Sequence, residues 1–126
     1  DYVVVWGGIN DLFMLWVPES VYGDLRRIYD RALEGDIGPI ACTVTPVLGY
    51  DGLMPRIVEL NNLIRGHCRE RVIPYADLFT AVSDESGRLR ETFSSDGVHL
   101  SYAGYHRVAY AIYHQVIEPI LDGWKR

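Results

Sequence analysis

Residues 2–11 read YVVVWGGIND, five apolar residues followed by two glycines and an amide beside a carboxylate. An unbroken apolar run of this length, stopped by Gly7-Gly8, is the pattern of a strand buried on both faces of a sheet. Strands of that kind occur in parallel sheets covered by helices, so strand and helix patterns should alternate onward. They do. Val21, Leu25, Ile28 and Ala32 recur at helical spacing with Tyr29 and Leu33 beside them, Ser20 is placed to cap the helix and Gly35 to end it. The segment from Pro39 to Val47, containing IACTVTPV, predicts a second strand. Ile57, Leu60, Ile64 and Cys68 predict a helix from Met54 to Arg69.

Val72-Ile73-Pro74-Tyr75 predicts a short third strand, and Pro74, which has no N–H for a ladder, assigns it to a sheet edge. Thr80 to Thr92 reads as polar loop, most clearly at Ser83-Asp84-Glu85-Ser86-Gly87. Ser101 opens a last helix with Val108, Ala109, Ile112, Val116 and Ile120 on its inner side. The order β-α-β-α-β-loop-α implies one α/β domain over residues 1–126, with a parallel sheet, right-handed crossovers and helices on both faces.

Composition narrows the functions. The chain has 126 residues, 48% hydrophobic and 23% charged, too apolar for a disordered segment and long enough for one core. No run approaches the roughly 18 apolar residues of a membrane helix. Seventeen acidic against 12 basic residues, with no Lys/Arg cluster, argue against a nucleic-acid or anionic-membrane partner. The nine tyrosines read as amphipathic core edges rather than a base-stacking platform. Cys42 and Cys68, without a CxxC, read as buried thiols. His106 and His114 are eight residues apart, about 12 Å along a helix, and with His99 give no zinc spacing. His67 reads as a favourable charge at a helix C-terminus. No metal or organic cofactor is expected, and the compartment is left open.

Chemistry in a parallel α/β sheet sits beyond the carboxyl ends of the strands. The first segment there is Gly7-Gly8-Ile9-Asn10-Asp11, where Asn10 presents an amide donor suited to a developing oxyanion. The plainer alternative is a turn in which Asn10 and Asp11 bond their own backbone. The second is Ser94-Ser95-Asp96-Gly97-Val98-His99-Leu100, where Asp96 can accept the Nδ1–H of His99 and leave Nε2 as a base. Its plainer alternative is an Asp-Gly turn leading into a helix cap. The six apolar residues Leu12 to Val17 read as core, with an acyl pocket or lid beside the site as the alternative.

Taken together, Gly8-Ile9-Asn10-Asp11 and Asp96-Gly97-Val98-His99 resemble the GxND and DxxH blocks of the SGNH (GDSL-type) esterase/lipase family. Gly104, the run from Leu100 to Ala109, the strand ending TVTPV and the helix containing ELNNLIRGHC are also similar. The resemblance implies a three-layer α/β/α, flavodoxin-like fold of strand order 2-1-3-4-5. It also implies hydrolysis of carboxylic esters, with His99 as general base, Asp96 orienting it, Asn10 as oxyanion-hole donor and Gly8 and Asp11 nearby.

The family's Gly-Asp-Ser block is not among these residues. Ser20, Ser83, Ser86, Ser94, Ser95 and Ser101 read as loop and cap residues, and none stands at a strand-to-helix elbow. The expectation is the C-terminal part of a single hydrolase domain, lacking the first two strands. The nucleophilic serine and those strands would come from an upstream segment or a second chain, and the chain alone would be inactive. The substrate would be a small acyl ester. The alternatives are acyl transfer on the same fold, or a non-catalytic binding module.

Overall fold

The computed structural model describes residues 1–125. Three parallel strands, β1 (Tyr2–Val5), β2 (Gly38–Cys42) and β3 (Tyr75–Ala76), lie in the order β1-β2-β3. The register pairs Tyr2 with Gly38 through Val5 with Ala41, and Ala41 with Tyr75. Side chains alternate faces along β2, so Ala41 enters one core while Ile40 and Cys42 enter the other. The first core packs against α2 (Pro18–Glu34) and α3 (Met54–Arg71) through Val21, Leu25, Tyr29, Ile57, Leu60 and Ile64. The second packs against α4 (Leu78–Val82) and α5 (Tyr102–Ile112). This is the expected three-layer α/β/α arrangement, and β3 is an edge of the described sheet.

Several local expectations change for identifiable reasons. The strand expected at Tyr2–Trp6 ends at Val5, and it is not buried on both faces: Tyr2, Val3 and Val4 are 40–47% exposed. Among the described residues β1 pairs only with β2. Gly38 donates to the carbonyl of Asp1 at 2.9 Å, and backbone groups alternate sides along a strand, so those of Tyr2 and Val4 face away from β2. The second strand stops at Cys42, not Val47. Thr43, Val44, Thr45 and Val47 nevertheless stay buried: the Thr43 N–H donates to the Ala76 carbonyl at 3.1 Å, the Val47 carbonyl accepts from Leu89 at 3.3 Å, and for Val44 a strand neighbour is replaced by Asn61 of α3. Its Oδ1 accepts from the Val44 N–H at 2.7 Å and its Nδ2 donates to the Val44 carbonyl at 2.9 Å.

Helix α2 begins with Pro18 as its first residue, and Ser20 lies inside it rather than capping it. Ile28 and Leu33 turn outward, 48% and 39% exposed. Val72 is not in a strand; it closes α3 in the left-handed region (φ 56°), with the Ile73 N–H bonded to the Cys68 carbonyl at 2.8 Å. Thr80–Thr92 is less polar in fact than in pattern, since it holds part of α4 and buries Val82 and Leu89. Ser101 caps α5 as expected, accepting from Gly104. A π-helical turn, Tyr113–Ile117, then joins α5 to α6 (Glu118–Trp124); Val108, Val116, Ile112 and Ile120 face the second core as expected, and Ala111 takes the inward place expected of Ala109. Cys42 and Cys68 are free and buried.

His67 departs furthest from its expected role. It is 7% exposed, its Nδ1 meets the Tyr22 hydroxyl at 3.1 Å, and its ring stacks on Tyr29. Burial holds its pKa below the ordinary imidazole value, so it is a neutral packed ring rather than a terminal charge.

Candidate active site

A turn is required where β1 meets its first helix, and Gly8 makes it. Gly8 sits at φ +116°, and a Cβ there would lie 3.1 Å from both Leu60 and Val21. Its carbonyl accepts from Leu12, starting a short helix, α1 (Ile9–Phe13), where the sequence suggested only a loop. The helix projects Asn10 at the carboxyl end of β1, while its Leu12 is fully buried. Met14, Leu15, Trp16 and Val17 are 52–74% exposed, which overturns their reading as core.

The second segment is tied back on itself. Asp96 Oδ1 accepts from the backbone N–H groups of Val98 and His99, both at 2.8 Å, which leaves Oδ2 to accept from His99 Nδ1 at 2.7 Å. The hydrogen bond to His99, then those two backbone donors, hold the Asp96 carboxyl far below the usual carboxylate range. It therefore stays ionised and fixes the imidazole with Nε2 as the remaining nitrogen. Ser94 secures the same loop, donating to the His99 carbonyl at 2.6 Å and accepting from Gly97 at 2.9 Å. Gly97 has φ +85° and its carbonyl accepts from Leu48 at 2.8 Å; a Cβ at this position would lie 2.0 Å from the Leu48 oxygen. Leu48 thus anchors the loop, a contact the sequence did not signal.

The two segments meet. A cleft of about 200 Å³ is lined by Asn10 and His99 together with Trp6, Gly7, Ile9, Val44, Thr45, Val98, Leu100 and Tyr105. Trp6 and Tyr105 approach edge-to-face, 6.5 Å between centroids. Gly8 and Asp11 do not line it: Gly8 turns toward the core and its neighbour Gly7 takes the wall. No serine is among the described lining residues. His106 is exposed and His114 pairs with Glu118 at 2.8 Å, so neither approaches the cleft wall. Among the described residues no group of three or more His, Cys, Asp or Glu could hold a metal, and no helix is long and apolar enough to cross a membrane.

The backbone can be compared with solved structures. A GDSL-like lipase from Bacteroides thetaiotaomicron superposes with a TM-score of 0.84 at 21% identity, over 94% of this chain and 62% of that one. The OSK domain of Drosophila Oskar gives 0.78 at 19% identity, over 91% and 61%. A variant of an acetyl-xylooligosaccharide esterase from Geobacillus gives 0.77 at 19%, over 91% and 58%. Likeness at these identities shows the fold, and this chain spans about three-fifths of each neighbour's length. No curated protein sequence matches it. The model of the GDSL-like lipase/acylhydrolase family matches residues 1–107. With most of its length matched by that model and its sheet built as in these neighbours, the chain belongs to the GDSL-like lipase/acylhydrolase family.

Proposed function

We propose that this chain carries the base and oxyanion side of a serine esterase site, and that the attacking serine lies outside residues 1–126. The observation that carries this reading is the shared cleft: Asn10 and His99 line one cavity, with Asp96 2.7 Å from the far nitrogen of His99. In the reaction His99 Nε2 takes the proton from the serine hydroxyl as its oxygen attacks the ester carbonyl. Asn10 donates to the oxygen that becomes negative. The imidazolium returns the proton to the departing alcohol, and the same nitrogen then activates the water that releases the acid. Asp96, held ionised, stabilises the imidazolium between these steps. The exposed backbone edge of β1 and the absence of a serine from the described cleft wall support a contribution from outside this chain.

The test is performed on the intact protein, with a p-nitrophenyl ester as substrate and a fluorophosphonate as probe. One adduct on a serine outside these 126 residues is expected, together with a roughly 10²–10⁴-fold loss of turnover in His99→Ala without loss of folding. Unchanged turnover in His99→Ala would overturn the assignment. No adduct and no turnover in the parent protein would leave a binding module in its place.

A further inference from the structure

Away from the cleft of Asn10 and His99, α2 and α3 border an open cavity of about 290 Å³ lined by Tyr22, Arg26, Arg27, Asp30, His67, Glu70 and Arg71. We infer that it is a binding site for a phosphate group that retains a proton, free or as a monoester, held by Arg26, Arg71 and His67 Nε2 with Asp30 accepting the phosphate's O–H.

The wall carries the cations Arg26, Arg27 and Arg71 beside the carboxylates Asp30 and Glu70. Arg27 is already engaged by Asp24, while Arg26 lies 5.9 Å over the Tyr22 ring and Arg71 stands 4.0 Å from Asp30 Oδ1, beyond hydrogen-bond reach. His67 supplies the decisive observation. It is 93% buried, since only 7% is exposed, and it faces this cavity, yet its Nε2 has no hydrogen-bond partner among the described residues. The Tyr22 hydroxyl meets Nδ1 at 3.1 Å; in the tautomer in which that hydroxyl donates, the ring proton resides on Nε2, which is then a donor without an acceptor among the described residues. A buried donor left unmade is costly, so a site of this kind selects a ligand that accepts.

Asp30 fixes the kind of acceptor. Its Oδ1 is buried and likewise has no hydrogen-bond partner among the described residues. An acceptor-only oxyanion such as sulfate would satisfy His67 and the arginines but would set a bare oxygen against this carboxylate. A phosphate oxygen that still carries hydrogen satisfies both, accepting from Arg26, Arg71 and His67 while donating to Asp30. Asp30 therefore discriminates by repelling the fully deprotonated anion.

Calorimetric titration of the intact protein with inorganic phosphate, sulfate and glycerol 3-phosphate at about pH 5.5, below the second pKa of a phosphate monoester so that both phosphates retain a proton, tests the assignment. The expected result is saturable one-to-one phosphate binding with sulfate at least about tenfold weaker. Arg71→Ala should weaken phosphate by about tenfold. Asp30→Asn, whose amide can donate, should bring sulfate up toward phosphate. Both residues are partly exposed, so these variants do not depend on replacing the buried His67. Competition by glycerol 3-phosphate marks a monoester site and its absence a free-phosphate site, both being the proposed chemistry. No saturable phosphate binding, equal binding of sulfate by the parent protein, or unchanged phosphate binding in Arg71→Ala would overturn it.

Discussion

Replacing Gly97 with alanine tests how the loop bearing His99 is held, and its cost can be worked from two features. The first is backbone conformation: at φ +85° an L-residue sits in the left-handed region, at roughly 1–2 kcal/mol. The second is contact. The added Cβ would meet the Leu48 carbonyl oxygen at 2.0 Å, and that oxygen is backbone, so no side-chain rotation relieves it. The segments must part by about 1 Å, which breaks the 2.8 Å hydrogen bond from Leu48 to Gly97, about 1 kcal/mol. The sum is about 2–3 kcal/mol, a fall of roughly 10 °C in the unfolding midpoint for a domain of this size. Gly49→Ala separates the two parts, since Gly49 has φ +89° but nothing within 4 Å of an added Cβ. It should show the conformational cost alone. Urea and thermal unfolding of both variants in the intact protein should therefore differ by about 1 kcal/mol. On the proposed function, a shift of about 1 Å of the loop bearing His99 away from Leu48 should also lower ester turnover of the intact protein by about 10²-fold. If Gly97→Ala is no less stable than Gly49→Ala, the contact with Leu48 does not hold the loop and the reasoning fails.

Asn61→Leu removes both partners of Val44 in a fully buried site, leaving an N–H and a carbonyl unpaired. The expected destabilisation is about 2–4 kcal/mol, read from the urea midpoint, and a loss below about 1 kcal/mol would count against Asn61 as the substitute strand neighbour. His67 gives a pH dependence. Burial lowers its pKa, reinforced by Arg71 and Arg26 and opposed by Asp30 and Glu70, so the unfolded chain binds its proton more readily than the folded protein. Its contribution to stability is complete above the unfolded value of about 6.5 and is lost as pH falls below that value. Thermal unfolding between pH 7.5 and 5 should show this decline, and His67→Gln should flatten it; an unchanged slope would refute the assignment.

The elements legible in the sequence were those whose pattern is local. Ile57, Leu60, Ile64 and Cys68 marked α3 because a helix writes its buried face at fixed spacing, and the Asp96–His99 contact followed from a three-residue separation. The run Val72–Tyr75 marked the place of β3, but the strand is Tyr75–Ala76 and Pro74 lies just before it, its carbonyl accepting from Ala41. What escaped depends on partners far along the chain. The pattern at Pro39–Val47 did not show that Asn61 would take over the backbone of Val44, so the strand was drawn too long. His67 looked like a terminal charge because Tyr22, 45 residues earlier, is what encloses it. Val72-Ile73-Pro74-Tyr75 reads as one strand, whereas the end of α3 forces Val72 into a left-handed cap. Trp6 and Tyr105, which line the cleft, carried no spacing signal at all.

Asp96 and His99 are joined by a loop of three peptide steps, while Asn10 is 89 positions from His99 along the chain, 99 less 10. Closing the short loop costs little chain entropy, whereas bringing Asn10 to His99 requires both crossovers of the parallel sheet. The two halves of the cleft should therefore be lost at different stages of opening. Amide exchange at Val98 and His99 will report fraying of one loop. Exchange across the β1–β2 ladder will report the cooperative unit on which the cleft itself depends. A variant can keep the imidazole–carboxylate pair intact in its proton NMR signature and still have no assembled cleft.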